Sequence, residues 1–216
     1  MSDIFREIDE EIRQERYLAL WKRYGPWVIG AAVLLVVVVA GYQGWEAYRH
    51  NRAVEAAESY AAAVEQLNGG QTEAAREAFR DMAAPGDGGF SLLASFRLAE
   101  AQAKLGDDET ALATWRRIAT TGDITETYRR LATIQAVMHA LDAGVDIPPE
   151  LTQRLSTIAG SESSFRPTAL EAQALLAVKQ GDGKRATSLF ERLREGADVP
   201  AAQRRRAEHM LALLQE

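Results

Sequence analysis

The side chains that could do chemistry are few and scattered. Imidazole is the usual metal ligand and proton carrier near neutral pH, and the chain holds His50, His139 and His209. They fall in three separate predicted helices with no partner at metal-ligand spacing, so each reads as a surface or boundary residue. Gly86-Asp87-Gly88-Gly89 is glycine-rich, but no Lys-Ser/Thr comes after it, and it reads as a turn rather than a phosphate cradle. Ser156, Ser161, Ser163 and Ser164 lie around a polar connector without a G-x-S-x-G elbow. They read as caps ahead of Pro167, a residue suited to a first helical position. Asp107-Asp108 is explained by the preference of helix N-termini for negative charge. Arg204-Arg205-Arg206 is the densest basic patch and reads as the solvated face of the last helix. The absence of cysteine excludes disulfides, thiolate nucleophiles and cysteine zinc sites. A net charge of -6 speaks against a general nucleic-acid binder, which needs positive surface to displace counterions. The expectation is a protein without catalytic residues, metal, cofactor or small-molecule substrate.

The elements are easier to find than the chemistry. Residues 25–45, GPWVIGAAVLLVVVVAGYQGW, contain no charge. As a helix rising ~1.5 Å per residue they reach about 30 Å, the thickness of a bilayer's hydrocarbon core. Trp21, Tyr24 and Trp27 flank one end and Tyr42, Trp45 and Tyr48 the other. Aromatic rings with a polar atom favour both membrane interfaces, so the run is predicted to be a single transmembrane helix. A cleaved signal peptide would open with a basic region and a core of only ~7–15 apolar residues. Here the first 24 residues carry six acids against five bases. Arg13, Arg16, Lys22 and Arg23 precede the run, and Arg49 and Arg52 come after it. That excess predicts a cytoplasmic segment 1–24 and an outward-facing domain 46–216. Ile4, Ile8 and Ile12 form a narrow apolar stripe along a helix in the leading segment. No Gly or Pro lies between Trp45 and Leu67, so the helix is expected to continue past the span.

From Glu46 onward apolar residues recur at three and four, the period of a helix. Self-similarity is visible at a fixed period. GDDETALATWRRI at 106–118 and GDGKRATSLFERL at 181–193 share one spacing, and GQTEAAREAFRDM at 70–82 repeats it without the Asp. The shared positions are Ala75, Phe79 and Met82, then Ala111, Trp115 and Ile118, then Ala186, Phe190 and Leu193. A small residue lets two helix backbones approach, the aromatic fills the space one turn later, and the aliphatic extends the stripe. Gly69, Gly106 and Gly181 stand after the preceding helices as C-caps, and Asp107 and Asp182 start the next ones. A degenerate unit fits between, with helices over 125–143 and 148–158 and Leu151, Leu155 and Ile158 in the pattern positions. Residues 200–215 are predicted to close the array as a capping helix.

This period, with its Ala and aromatic positions, resembles the tetratricopeptide repeat over roughly residues 53–198. Ala99 and Ala174 match the small residue of the family's first helix, while Gln102 and Ala177 stand where it has Tyr. The resemblance implies an all-α fold: one N-terminal transmembrane helix, a TPR-like solenoid of about four helical pairs, and the capping helix. It also implies a partner groove along the first helix of each pair, which in this chain points to Tyr60, Val64, Phe96, Glu171, Leu175 and Val178. The whole layout, an acidic arm MSDIFREIDEEIRQERYLALWKRYG, one span and TPR-like helices, resembles the ancillary subunit of the bacterial SecYEG translocon. That resemblance implies the inner membrane, repeats in the periplasm, and translocon subunits and periplasmic chaperones as protein partners. A scaffold of another envelope complex, in cell-wall synthesis or division, shares the same layout.

Overall fold

The computed structural model describes the backbone of residues 3–84 and 90–215, and the side chains of residues 22–24, 27, 30, 33–84 and 90–215. Trp21, the Ile4, Ile8 and Ile12 stripe and the glycine-rich turn at 86–89 lie outside what is described. Among the described residues every element is an α-helix: α1 (Asp3–Asn68), α2 (Thr72–Met82), α3 (Phe90–Lys104), α4 (Asp108–Thr120), α5 (Glu126–Ala143), α6 (Pro149–Ala159), α7 (Arg166–Lys179), α8 (Gly183–Glu195) and α9 (Ala201–Leu213). The chain divides into two compact units, Met1–Glu55 and Ala56–Glu216.

In the first unit α1 carries a run of seven apolar residues, Val33 to Val39, whose side chains are all between 45% and 67% exposed. Tyr24, Trp27, Tyr42, Trp45 and Tyr48 are exposed as well. No helix is long and apolar enough to cross a membrane among the described residues. The 25–45 run lies partly outside them, since the side chains of 25, 26, 28, 29, 31 and 32 are not described. The helix continues beyond Trp45 without a break to Asn68.

In the second unit the last turns of α1 pair with α2, α3 with α4, α5 with α6 and α7 with α8, and α9 closes the end. Contacts run between helices that are neighbours or next-neighbours in order, including α5 with α7 and α7 with α9. That is the quasi-linear packing of a solenoid. Alanine is what allows it: Ala75, Ala94, Ala99, Ala111, Ala136, Ala174 and Ala186 are all fully buried at helix crossings. The core has two parts. Ala63, Leu67, Ala75, Phe79, Ala94, Leu98 and Ala101 make the smaller. The larger runs from Ala99 to Leu211. α3 gives one face to each.

Each first helix ends on a left-handed glycine: Gly70 (φ 82°), Gly106 (φ 81°), Gly144 (φ 75°) and Gly181 (φ 74°). These positions recur every 36 to 38 residues and mark the repeat. The expectation for the first of them is off by one, because Gly70 rather than Gly69 takes the positive φ. The amide after each of three glycines donates back to a carbonyl five residues earlier: Gln71 to Gln66, Asp107 to Gln102 and Asp182 to Ala177, each at 2.9 Å. This is the Schellman closure, which satisfies the last carbonyls of one helix as the next begins. After Gly144 the chain behaves differently. Residues 145–148 intervene before α6, so the degenerate unit departs from the tight Gly-to-cap turn.

Candidate functional site

The nine repeat-packing residues sit as a set at the centre of the helix pairs. Ala75, Phe79, Ala111, Trp115, Ile118, Ala186, Phe190 and Leu193 are all buried, the largest exposure being 6% at Trp115. Met82 is half-buried against the smaller core. In α6, Leu151, Leu155 and Ile158 are buried in the same positions. Leucine replaces the small residue there, and α6 packs less extensively on α5 than α4 or α8 do on their partners.

The first helices line a groove of about 400 Å³. Tyr60 comes from α1; Leu93, Phe96, Arg97 and Glu100 from α3; Tyr128, Leu131 and Gln135 from α5; and Trp115 reaches it from α4. Tyr60 is packed edge-on against Phe79, ring centroids 5.8 Å apart, and lies 5.5 Å from Phe90. Phe96 and Tyr128 face each other at 6.4 Å across α3 and α5. Tyr128 and Leu93 are each 38% exposed, so among the described residues the walls present open apolar surface.

One ionic group crosses this apolar wall. Arg97 Nε donates to the Tyr60 hydroxyl at 3.4 Å and Nη1 to Glu100 at 2.6 Å. The Tyr60 and Glu100 hydrogen bonds outweigh partial burial and hold the guanidinium in its charged form, its pKa raised. For Glu100 burial pushes the carboxyl up, but hydrogen bonds from Arg97 and Lys104 together win and hold it below the ordinary carboxylate range. The groove therefore offers aromatic and aliphatic contact beside a fixed, ionised Arg–Glu pair. That combination suits a polypeptide segment with an apolar anchor and a polar edge, and the residues hold no nucleophile paired with a base.

The expected groove residues separate in the structure. Tyr60 and Phe96 line the groove. Val64 packs against the smaller core, and Leu175 and Val178 against the larger, each half-buried. Glu171 is committed to α9: Arg206 reaches it through Nε at 2.6 Å and Nη2 at 2.8 Å, and Gln203 donates at 3.0 Å. The capping helix thus occupies the end of the array where Glu171 was expected to face a partner. Arg206 is one of the three consecutive arginines, so that patch is partly structural rather than wholly solvated. Leu93, Arg97, Glu100, Tyr128, Leu131 and Gln135 are groove residues that the repeat pattern alone does not single out. The signal for them is the 36-residue step from Tyr60 to Phe96, and the one-face spacing of Tyr128, Leu131 and Gln135 on α5.

Of the other polar residues some keep their expected places and others depart. Asp182 caps α8 by accepting from the Arg185 amide at 3.1 Å. Asp107 holds the equivalent position but makes no side-chain cap; its carboxylate accepts from Arg76 of α2 at 3.3 Å instead. The serines do not cap α7, whose N-cap is Phe165 with Pro167 in its first turn. Ser161 turns back to donate to the Ile158 carbonyl at 2.8 Å. Ser156 accepts from Gln173 at 2.8 Å. His139 is a boundary residue, as expected: partly buried, it lies 5.0 Å from the Trp115 ring, with Nε2 3.2 Å from Asp108 Oδ1. Among the described residues no three His, Asp or Glu side chains gather to hold a metal ion.

No curated protein and no solved structure matches the chain. The family model of the tetratricopeptide repeat-like domain matches residues 19–192, a segment that takes in the whole 25–45 run as well as the helix pairs. TPR-like domains generally mediate protein–protein interactions, and with most of its length inside that match the chain belongs to the tetratricopeptide repeat-like domain family.

Proposed function

We propose that this protein is a membrane-anchored, non-enzymatic interaction subunit of the bacterial inner membrane. Its N-terminus lies in the cytoplasm and its helix pairs lie in the periplasm, where they hold protein partners. The observation that carries the reading is the run from Val33 to Val39, apolar on every face of α1 and exposed throughout. Water does not tolerate such a stretch without a cover: each exposed Val or Leu forfeits about 1.5–3 kcal/mol that burial would return. A helix apolar all round is what lipid accommodates. The exposed rings of Tyr24 and Trp27 before it, and of Tyr42, Trp45 and Tyr48 after it, supply the polar-edged anchors of two interfaces.

The sequence of the N-terminal arm resembles that of the ancillary translocon subunit, which favours translocon subunits and periplasmic chaperones as the partners, with the Tyr60–Phe96–Tyr128 groove as one point of contact. Affinity capture of the full chain from gently solubilised membranes is expected to recover translocon subunits together with periplasmic chaperones. Recovery of cell-wall or division proteins alone, under conditions that keep the translocon intact, would sink the assignment to export.

A further inference from the structure

A second concave site lies away from the groove, between the first turns of α5 and the end of α6. It encloses about 150 Å³, well below the ~300–1,000 Å³ of pockets that bury a drug-sized molecule. Arg129, Arg130 and Arg154 line it with a single carboxylate, Glu126, and the hydroxyls of Thr133 and Thr157. Three cations against one anion leave two positive charges in excess, in a chain whose net charge is -6.

Glu126 is already used on both oxygens. One accepts from Arg129 and the other from Arg130 Nε at 3.0 Å. Its carboxyl is held below the ordinary range, chiefly by the hydrogen bond from Arg130, so it stays ionised and cannot gain a donor role at neutral pH. The guanidinium donors that remain have no protein partner among the described residues. Arg129 Nε is buried and makes no hydrogen bond. Arg154 lines the same cleft and makes no ion pair or hydrogen bond among the described residues. The Thr133 and Thr157 hydroxyls donate back to their own helix, to the Arg129 carbonyl at 2.8 Å and the Gln153 carbonyl at 3.2 Å, so the arginines are the donors left for a ligand. Like charges gathered in a cleft repel, and a buried donor without a partner is unfavourable. An oxyanion relieves both, because the guanidinium fork matches two oxygens of a phosphate in one plane.

We propose that this cleft is an oxyanion site that takes one phosphate group, either free inorganic phosphate or the phosphate of a phospholipid headgroup. Its volume admits a single such group.

The test uses the full chain in neutral-detergent micelles without phosphate, titrated in a calorimeter with inorganic phosphate and, separately, with dihexanoyl phosphatidylglycerol below its own micelle concentration. Saturable binding of one ligand per chain is expected for at least one of them, with Kd below ~1 mM. Arg154→Gln, at a half-exposed position, should weaken it at least ~tenfold, whereas Arg204→Gln, on α9, should leave it unchanged. Tighter binding of the lipid assigns the headgroup, and tighter binding of inorganic phosphate assigns the free ion. No saturation by either up to ~10 mM, or an unchanged Kd in Arg154→Gln, overturns the proposal.

Discussion

Gly106 sits at φ 81°, in the left-handed region where a Cβ costs about 1–2 kcal/mol. Gly106→Ala is therefore expected to lower the unfolding free energy of the full chain by about 1 kcal/mol, read as a lower urea midpoint. Gly122, whose φ is ordinary and whose added Cβ would meet nothing within 4 Å, is the control: Gly122→Ala is expected to change the midpoint little or raise it. Glu126 supplies a pH test. Its carboxyl is held below its ordinary value of 4.5, so it binds a proton less readily folded than unfolded. It therefore contributes stability above pH 4.5, and that contribution is lost as the pH falls through the lower folded value. Glu126→Gln should lower the urea midpoint at pH 7, with the deficit fading as the pH falls below 4.5. At this scale the sequence is legible where the cause is local. Gly106 and Gly181 stand after a helix and before an Asp, and nothing distant is needed to see a cap there. Asp107 is different because its partner, Arg76, lies 31 residues away, and only the packing of α2 near the start of α4 brings them together.

The helix pairs are legible because their packing residues repeat at a helical spacing. Phe190 is 1% exposed and fills the space between α8 and its neighbours, so Phe190→Ala is expected to cost about 3–5 kcal/mol. In that variant hydrogen exchange is expected to show α7–α9 opening ahead of the rest, because in a solenoid each pair leans on the next. The groove is only half legible. Tyr60 and Phe96 emerge from the repeat, but Leu175 and Val178 have the same character and are packed against the core. Periodicity shows that a face is apolar; it does not show whether the next helix covers that face. The structure shows α3 and α5 leaving Leu93 and Tyr128 open. Tyr128→Ala and Phe96→Ala are expected to weaken partner capture while the melting curve of Tyr128→Ala stays close to that of the parent chain. Equal capture by both variants would remove the groove from the interaction.

For the molecule as a whole, two properties meet in one chain: helix pairs built to hold a protein, and a helical run, Val33 to Val39, whose side chains face outward on every side. The repeat architecture can be read from the residues alone because it rests on short-range spacing. Partner identity cannot, because it resides in surface shape and charge contributed by helices distant in sequence. The central claim is that the apolar run crosses a membrane and puts the helix pairs on the far side. Fusing a reporter that is active only outside the cytoplasm after residue 216 tests it most directly, with Val36→Arg as the matched variant, since an arginine at mid-span costs about 2.5–3.5 kcal/mol of insertion. The account predicts an active reporter in the parent chain and a weaker signal in Val36→Arg. An inactive reporter on a stably expressed parent chain would contradict it.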